Sequence, residues 1–260
     1  EQLGMRPQDV HVVSGDTAVV PWGLGAFASR QTVTAGSSVY LASREVAEKA
    51  RKLGGMMMQM APADLEIADG MVRVKADPSR AIALAELARI LRGGPGYAFP
   101  PGFEPGLEAT ASFRTDHLAY ANACHVAEVE VDTVTGEVQV LGIWAAHDVG
   151  RAVNPRGVEG QIEGGIVQAA GQGLMEDYKL DGGRTSTSGF AKYILPTSLD
   201  VPRVNSIIIE DPDPIGPLGV KGVGEPAMVP TIPAIMNAIS DAVGVRITAL
   251  PATPEKVLMA

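Results

Sequence analysis

Length, composition and charge limit the kinds of protein that this chain can be. Its 260 residues allow one large or two small domains, and an apolar fraction of 46% is sufficient for a core. A net charge of −9 argues against nonspecific binding to nucleic acid or to an anionic membrane. The one cysteine, Cys124, excludes an intrachain disulfide, a zinc cluster and an iron–sulfur site within this chain, and low cysteine content suits a cytoplasmic protein. No apolar run approaches the ~20 residues that a membrane-spanning helix needs.

A loop of small residues near the N-terminal end is the first candidate site. Residues 21–32 are mostly small, and they end in polar side chains at Ser29, Arg30, Gln31 and Thr32. Small side chains let backbone N–H groups approach a ligand, and such a loop at the start of a helix can bind an anion. The same pattern fits a helix N-terminus that binds nothing.

The segments around this loop predict a mixture of helices and strands. Residues 10–13 predict a short strand, and residues 39–53 predict a helix that ends at Gly54-Gly55. Residues 65–74 predict a β-hairpin, and Ser79 is expected to cap a second helix.

The most regular hairpin is predicted over residues 121–144. Alternation places His125 on one face of the first strand and the adjacent Cys124 on the other, so a Cys–His catalytic pair is disfavoured. Neither His117 nor His147 has a partner at metal-ligand spacing. We therefore expect all four histidines to be structural or surface residues.

A glycine-rich helix predicted over residues 157–174 is the second candidate site. Each interior glycine costs roughly 0.5–1 kcal/mol relative to alanine, and close packing against a backbone or a ligand would offset that loss. Gln161, Gln168 and Gln172 can each donate and accept hydrogen bonds, as recognition of a flat heterocycle requires. Close packing between helices explains the glycines equally well.

The third candidate site is the loop of residues 219–226, where three glycines flank Glu225. Glycine permits positive φ and close approach of the backbone, and Pro226 restricts Glu225 to extended geometry. The loop can therefore hold one acid in one place, although a simple turn with a solvated glutamate gives the same pattern. A buried strand is predicted over residues 206–210 and a helix that ends at Gly244 follows, so the whole pattern predicts an α+β fold.

Four segments in order resemble the C-terminal half of the molybdopterin-binding large subunit of the molybdenum hydroxylase (xanthine oxidase/aldehyde oxidase) family. They are GAFASR at 25–30, NP at 154–155 with GQIEGGIVQ at 160–168, KGVGEP at 221–226, and LPATPEKV at 250–257. Each motif alone is weak, but together they extend over nearly the whole chain. The resemblance implies one molybdopterin-binding domain over residues 1–260, with an α+β fold of mixed sheets, hairpins and packed helices.

The resemblance implies specific roles for the residues of the three candidate sites. Glu225 would be the catalytic general base beside the molybdenum. The pterin dithiolene would hold the metal, so no side chain of this chain is expected to ligate it. The residues implied to contact the cofactor are Ala28, Ser29, Arg30, Gln31, Gly160, Gln161, Gly164, Gly165, Lys221, Gly222, Val223 and Gly224. The cytosine dinucleotide form of molybdopterin is expected, as in most prokaryotic members.

The resemblance also implies a hetero-oligomer. The family's upstream cofactor-binding loops and its iron–sulfur and flavin domains have no counterpart in these 260 residues. We therefore expect a fragment or a natural split subunit, with a partner chain that carries the upstream half, a 2Fe-2S subunit, and an FAD subunit as a further candidate. The expected reaction oxidises an aldehyde or an N-heterocyclic or aromatic substrate with water-derived oxygen, and the electrons leave through the partners.

Two other functions fit the same residues. A relative of the carbon monoxide dehydrogenase or hydroxybenzoyl-CoA reductase type would use the same scaffold, and a non-catalytic assembly module would share only the fold. The intact Glu225 and its flanking glycines favour an enzyme. Tyr97, Phe99, Phe103 and Phe190 could line a substrate pocket, and packing is the alternative for each.

Overall fold

The computed structural model describes residues 1–20, 23–93 and 99–260. Helices and strands alternate irregularly, which confirms the α+β prediction. The α-helices of the described part are α1 (Ser37–Met58), α2 (Leu84–Ile90), α3 (Pro155–Leu174), α4 (Thr231–Val243) and α5 (Pro254–Leu258). Its strands are β1 (Leu65–Ala68), β2 (Met71–Val74), β3 (Asp77–Ala83), β4 (Asn122–Val131), β5 (Val138–Asp148), β6 (Leu180–Asp181), β7 (Arg184–Thr185) and β8 (Arg203–Ile209). Short 3-10 helices lie at Pro7–Asp9 and Pro62–Asp64, and a π-helix lies at Thr32–Gly36.

The first of two compact units, unit 1, comprises residues 1–25 and 34–114. Helix α1 packs against β1 and β2 of an antiparallel sheet with the strand order β1-β2-β3. Branched aliphatic side chains from the helices and strands fill the space between them. The buried core of unit 1 is Ala50, Leu53, Leu65, Val72, Val74, Leu84, Leu87 and Leu91.

Helix α1 is longer than the sequence predicts, because it continues through Gly54 and Gly55. A Cβ on Gly54 would lie 3.0 Å from Cγ1 of Val72, and one on Gly55 would lie 2.7 Å from the carbonyl oxygen of Met60. The glycines therefore allow close packing instead of ending the helix. The helix ends at Gln59, whose φ of 55° is left-handed, so the predicted end is wrong.

Two further predictions in unit 1 are wrong, and one is confirmed. Residues 10–13 are exposed and belong to no strand of the described part of the chain. Ser79 lies within β3, where Ile82 pairs with Val72, and α2 begins only after Ala83. Pairing with a neighbouring strand here overrides the helical spacing of the apolar residues. The predicted hairpin is present as β1 and β2.

The second compact unit, unit 2, comprises residues 26–33 and 115–260. Its main sheet has the order β4-β5-β8, with β4 antiparallel and β8 parallel to β5. Helix α4 packs on β4, and α3 packs on both β8 and α4. The buried core between the helices and the sheet is Ile143, Ala145, Ile162, Ile166, Ala170, Ala227, Ile235, Ile239, Ala252 and Val257.

The strands of unit 2 follow the predicted alternation. The predicted hairpin is confirmed as β4 and β5, and His125 lies on the inner face while Cys124 is exposed on the outer face. The predicted buried strand is present as β8, but Ile207 and Ile209 are 49% and 46% exposed. This strand therefore has only one covered face in the unit, which its continuous apolar run does not reveal.

Helix α3 begins where Asn154 accepts a hydrogen bond from the N–H of Gly157 over 3.1 Å. The glycines of this helix have different surroundings. A Cβ on Gly165 would lie 2.7 Å from Cβ of Ala227, so this glycine allows close packing. A Cβ on Gly160 or Gly164 would meet nothing within 4 Å, so packing within the described structure does not explain those two.

Candidate functional site

Two loops of unit 2 that are far apart in sequence meet at the candidate site. The first loop is residues 26–31 and the second loop is residues 221–225. The backbone N–H of Glu225 donates to Oγ of Ser29 over 2.8 Å, and the N–H of Ala28 donates to Oε1 of Glu225 over 3.3 Å. These two bonds fix both the backbone and the carboxylate of Glu225.

Glycine at position 222 allows the two loops to touch. A Cβ there would lie 2.5 Å from the carbonyl oxygen of Ser29 and 2.6 Å from its Cβ. Close-packed atoms cannot occupy such distances, so any side chain at Gly222 would push the loops apart. A Cβ on Gly224 would lie 3.2 Å from Oε1 of Gln161, which shows that the second loop also runs close to α3.

The first loop has an unusual backbone at its centre. Ala28 and Ser29 are consecutive non-glycine residues with φ of 51° and 50°. The left-handed conformation costs an L-residue about 1–2 kcal/mol. Strain of this kind persists only where the surrounding structure enforces it, and it concentrates at functional sites. Here it directs the Ala28 N–H and the Ser29 hydroxyl towards Glu225.

The second loop is anchored by a nearly buried ion pair at its first residue. Nζ of Lys221 lies 2.5 Å from Oδ2 of Asp148, and the two side chains are 7% and 12% exposed. Burial alone would raise the pKa of Asp148, but hydrogen bonds from Lys221 and the N–H of Gly150 outweigh it and lower the pKa. The hydrogen bond to Asp148 raises the pKa of Lys221. The Lys221 ammonium is therefore committed to a carboxylate of its own chain.

A cavity of about 760 Å³ lies beside the paired loops. This volume is within the range of small-molecule and cofactor sites. Its walls carry amides, hydroxyls, glycines and one carboxylate. The lining residues are Ala26, Phe27, Ser29, Gln31, Thr32, Gln161, Gly164, Gly165, Gln168, Val223, Gly224, Glu225 and Met228. We call this space the first cavity.

A second cavity of about 410 Å³ also contacts Ser29 and Glu225. Its walls are mainly apolar and include a short segment that precedes β4. The lining residues are Ala28, Ser29, Leu118, Ala119, Tyr120, Ala121, Ala123, Gly222, Glu225, Pro226, Val229 and Pro230. Glu225 therefore belongs to the walls of both cavities.

Most of the residues implied by the resemblance converge here, with three differences. Ser29, Gln31, Gln161, Gly164, Gly165, Val223, Gly224 and Glu225 line the first cavity, and Ala28, Ser29, Gly222 and Glu225 line the second. Gly160 lies one helical turn before Gly164 and lines neither. Arg30 and Lys221 line neither of these two cavities: the Arg30 guanidinium stacks on the ring of Phe27 at 3.8 Å, and Lys221 bonds Asp148.

Two of the histidines, the buried His147 and the partly buried His125, form a pair in unit 2. Nε2 of His125 lies 2.7 Å from Nε2 of His147, and Nδ1 of His125 lies 2.9 Å from Oγ1 of Thr231. Burial, and the proximity of His147, lower the pKa of His125 to about 4, and burial lowers the pKa of His147. Among the described residues no group of three or more His, Cys, Asp or Glu side chains could hold a metal ion.

The candidate aromatic residues in the described part of the chain line neither of these two cavities. Phe99 and Phe103 pack against the core of unit 1, and Phe190 is 82% exposed. Tyr97 lies outside the described residues. The aromatic side chain that does line the second cavity is Tyr120, which the sequence analysis did not single out.

Several other site residues also escaped the sequence analysis. Asp148 is the last residue of β5 and Thr231 is the first residue of α4. A polar residue is common at either position, so neither one indicated a site. Phe27 lies within the loop of small residues, but it is neither small nor polar, and so it did not stand out as a candidate. A signal for Asp148 existed in its position at the carboxyl end of a strand, where ligand sites of sheets often form.

Comparison with known proteins agrees with these observations. A family model described as a molybdopterin cofactor-binding domain matches residues 1–202. The 6-hydroxypseudooxynicotine dehydrogenase complex subunit gamma of Paenarthrobacter nicotinovorans is 35% identical over 261 residues, which cover 99% of this chain and 32% of the relative. The carbon monoxide dehydrogenase large chain of Afipia carboxidovorans is 31% identical over 93% of this chain and 29% of its own length.

Solved structures show the same relationship. Quinoline 2-oxidoreductase from Pseudomonas putida 86 superposes with a TM-score of 0.87 at 36% identity, over 99% of this chain and 33% of that chain. A Cu,Mo-CO dehydrogenase superposes with a TM-score of 0.87 at 30% identity, over 99% and 32%. This chain thus spans about a third of the length of these relatives. The chain belongs to the molybdopterin cofactor-binding domain family of the molybdenum hydroxylases, and it matches the C-terminal part of their large subunits.

Proposed function

We propose that the first cavity holds the molybdopterin cofactor and that Glu225 is the catalytic base of a molybdenum hydroxylase. The observation that carries this proposal is the position of Glu225. Its carboxylate accepts the N–H of Ala28, and its own N–H donates to the hydroxyl of Ser29. Glu225 also lies in the wall shared by the two cavities. A base so placed can contact a cofactor on one side and a substrate on the other.

The residues of the first cavity fit a flat, polar cofactor. Gln31, Gln161 and Gln168 supply amides that can pair with the edge of a heterocycle. Gly164 has open space at its Cβ position, so a planar ring can lie against the helix there. In the described part of the chain, the N–H groups of Gly222, Val223 and Gly224 have no protein acceptor, and they can bind anionic oxygens.

The chain's own groups would prepare and receive one proton. Oε1 of Glu225 accepts the N–H of Ala28, which leaves Oε2 able to take a proton from a reacting group. The Ser29 hydroxyl accepts the backbone N–H of Glu225 and so holds this residue in place. When bound, the molybdenum–pterin group supplies the two-electron redox chemistry.

The form of the cofactor and the partners belong to this proposal. The cytosine dinucleotide form is consistent with the carbon monoxide dehydrogenase relatives. Relatives named as a subunit gamma, a large subunit and a large chain support assembly with further chains. We propose an upstream half on the same or another chain, a 2Fe-2S subunit and an FAD subunit that remove the electrons. None of the described helices is long and apolar enough to cross a membrane, and a cytoplasmic location stays an expectation from the low cysteine content.

The second cavity favours a ring-sized substrate. About 410 Å³ bounded by Leu118, Tyr120 and Val229 is far more than a diatomic gas needs, and an aromatic wall suits an N-heterocycle or an aromatic aldehyde. Relatives named nicotine 6-hydroxylase and quinoline 2-oxidoreductase agree with this substrate class. Oxidation of carbon monoxide is the second candidate, supported by the carbon monoxide dehydrogenase relatives.

The direct test is analysis of the native assembly that contains this chain. We expect molybdenum near one atom per chain, a pterin dinucleotide on extraction, and reduction of the assembly by an N-heteroaromatic compound. Absence of molybdenum and pterin from the intact assembly would refute the proposal. Reduction by carbon monoxide but not by heteroaromatic compounds would select the second candidate.

A further inference from the structure

A hydrogen-bonded chain of buried and partly buried side chains connects the main sheet to the turn that carries Glu225. Its members are His147 on β5, His125 on β4 and Thr231 at the start of α4. His147 is 1% exposed and Thr231 is fully buried. Oγ1 of Thr231 lies 3.0 Å from the carbonyl oxygen of Ala227, which is also fully buried. The series therefore ends two residues after Glu225.

The donors and acceptors along this series determine which nitrogen of each histidine carries a proton. A carbonyl oxygen accepts only, so the Thr231 hydroxyl donates to Ala227 and must accept from Nδ1–H of His125. Nε2 of His125 is then without a proton and accepts from Nε2–H of His147. Every link has a donor and an acceptor, and the chain has one direction, from His147 to the Ala227 carbonyl. A low pKa of about 4 for His125 agrees with this uncharged arrangement at neutral pH.

The turn at the end of this series is also held by the bond between the Glu225 N–H and Ser29, by the packing of Ala227 in the core, and by hydrogen bonds within the turn. The N–H of Met228 donates to the carbonyl oxygen of Glu225 over 2.9 Å, and the N–H of Thr231 donates to that of Met228 over 3.3 Å. On the other side of the turn, the Cβ of Ala227 lies against Gly165. A shift of Ala227 would therefore move Glu225 relative to Ser29, and misplacement of a catalytic group by about 1 Å can cost ~100-fold in rate.

We propose that His125 is a positioning residue for Glu225, which acts through Thr231 and the Ala227 carbonyl to fix the turn between the second loop and α4. This inference rests on the proposed function for the role of Glu225. The Nδ1–H of His125 is the essential group, because it is the donor that orients the Thr231 hydroxyl.

Two substitutions of His125 separate this role from simple packing. In His125→Asn the side-chain amide can replace Nδ1–H, whereas in His125→Gln it lies near the position of Nε2. We expect His125→Asn to keep kcat within about threefold, and His125→Gln to lower kcat by ~10-fold or more with KM and molybdenum content unchanged. A packing role predicts the reverse order, because asparagine leaves the larger cavity. That reverse order, or equal losses, would overturn the proposal.

A second pair of variants gives a readout that needs no activity. Thr231→Val keeps the shape but cannot donate to Ala227, and Thr231→Ser keeps the hydroxyl. In the assembled protein, amide hydrogen exchange of the peptide that contains residues 225–231 should be at least ~10-fold faster in Thr231→Val than in Thr231→Ser. Equal exchange in the two variants would overturn the hydrogen-bond chain. If exchange differs between the two variants but the assembly contains no molybdenum, the hydrogen-bond series is supported and the proposed function is refuted.

Discussion

The backbone N–H of Glu225 donates to the side-chain oxygen of Ser29, a residue 196 positions earlier, over 2.8 Å. This bond joins the two loops of the site through the backbone of Glu225, so it does not occupy the carboxylate. In Ser29→Ala this N–H loses its acceptor, and we expect kcat to fall about tenfold, the equivalent of ~1.4 kcal/mol. Steady-state kinetics on the molybdenum-loaded assembly measure this change.

Ser29→Gly is the matched comparison, because it also removes the hydroxyl but tolerates the φ of 50° at this position. Both variants should lose activity to a similar extent, and Ser29→Gly should be the more stable of the two. If Ser29→Gly is fully active, the hydroxyl does not hold Glu225.

The ion pair between Lys221 and Asp148 is expected to stabilise unit 2. Asp148→Asn keeps the volume but leaves an ammonium that is 7% exposed with only the carboxylate of Asp211, at 3.8 Å. Loss of one partner from a buried pair costs about 3 kcal/mol. Thermal or urea unfolding of the purified assembly should show a lower midpoint. The control is Glu86→Gln, which breaks an exposed ion pair with Arg89 and should leave the midpoint nearly unchanged. Equal effects of the two substitutions would contradict this account.

Two glycines of the site are expected to respond to alanine in opposite ways. Gly222→Ala places a Cβ 2.5 Å from the carbonyl oxygen of Ser29, so the loops must separate, and we expect lower stability and loss of activity. Gly160→Ala lies in α3 with open space around its Cβ and should raise the free energy of unfolding by roughly 0.5–1 kcal/mol. Circular dichroism melts distinguish the two, and a neutral Gly222→Ala would argue against close contact of the loops.

The sequence predicted the regular parts of unit 2 well, because their signals are local. Alternation over β4 and β5, and the end of α4 at Gly244, depend on residues near one another in the chain. The extent of α1 could not be predicted in this way. Whether Gly54 and Gly55 end a helix depends on what packs against them. Gly54 lies against Val72 of β2 and Gly55 against Met60, and both neighbours come later in the chain.

The candidate site shows the same division. Glu225 and its glycines stand out in the sequence by their spacing. Other features of the site do not. The contacts of Lys221 with Asp148 and of His125 with Thr231 join residues separated by up to 106 positions. The left-handed conformation of Ala28 and Ser29 is a property of the folded backbone. Such contacts follow from the tertiary fold, and no local pattern in one sequence encodes them.

The histidine pair predicts an acid-sensitive stability. The folded-state pKa of His125, about 4, lies below its ordinary value of 6.5, so the unfolded chain binds more protons between these two pH values. The free energy of unfolding should therefore fall as the pH is lowered from 6.5 to 4, by on the order of 2–3 kcal/mol. Urea unfolding at several pH values measures the slope.

His125→Asn should reduce this slope, and the buried His147 accounts for the part that remains. The account is contradicted if the wild-type slope over this range is unaffected by His125→Asn.

The most direct test of the central claim is the Glu225→Gln substitution in the complete, molybdenum-loaded assembly. The amide keeps the volume of the carboxylate but cannot take up a proton, so the account predicts wild-type molybdenum content and a loss of turnover of at least ~100-fold. Retention of more than about a tenth of the wild-type activity, with molybdenum content intact, would contradict the assignment of Glu225 as the catalytic base.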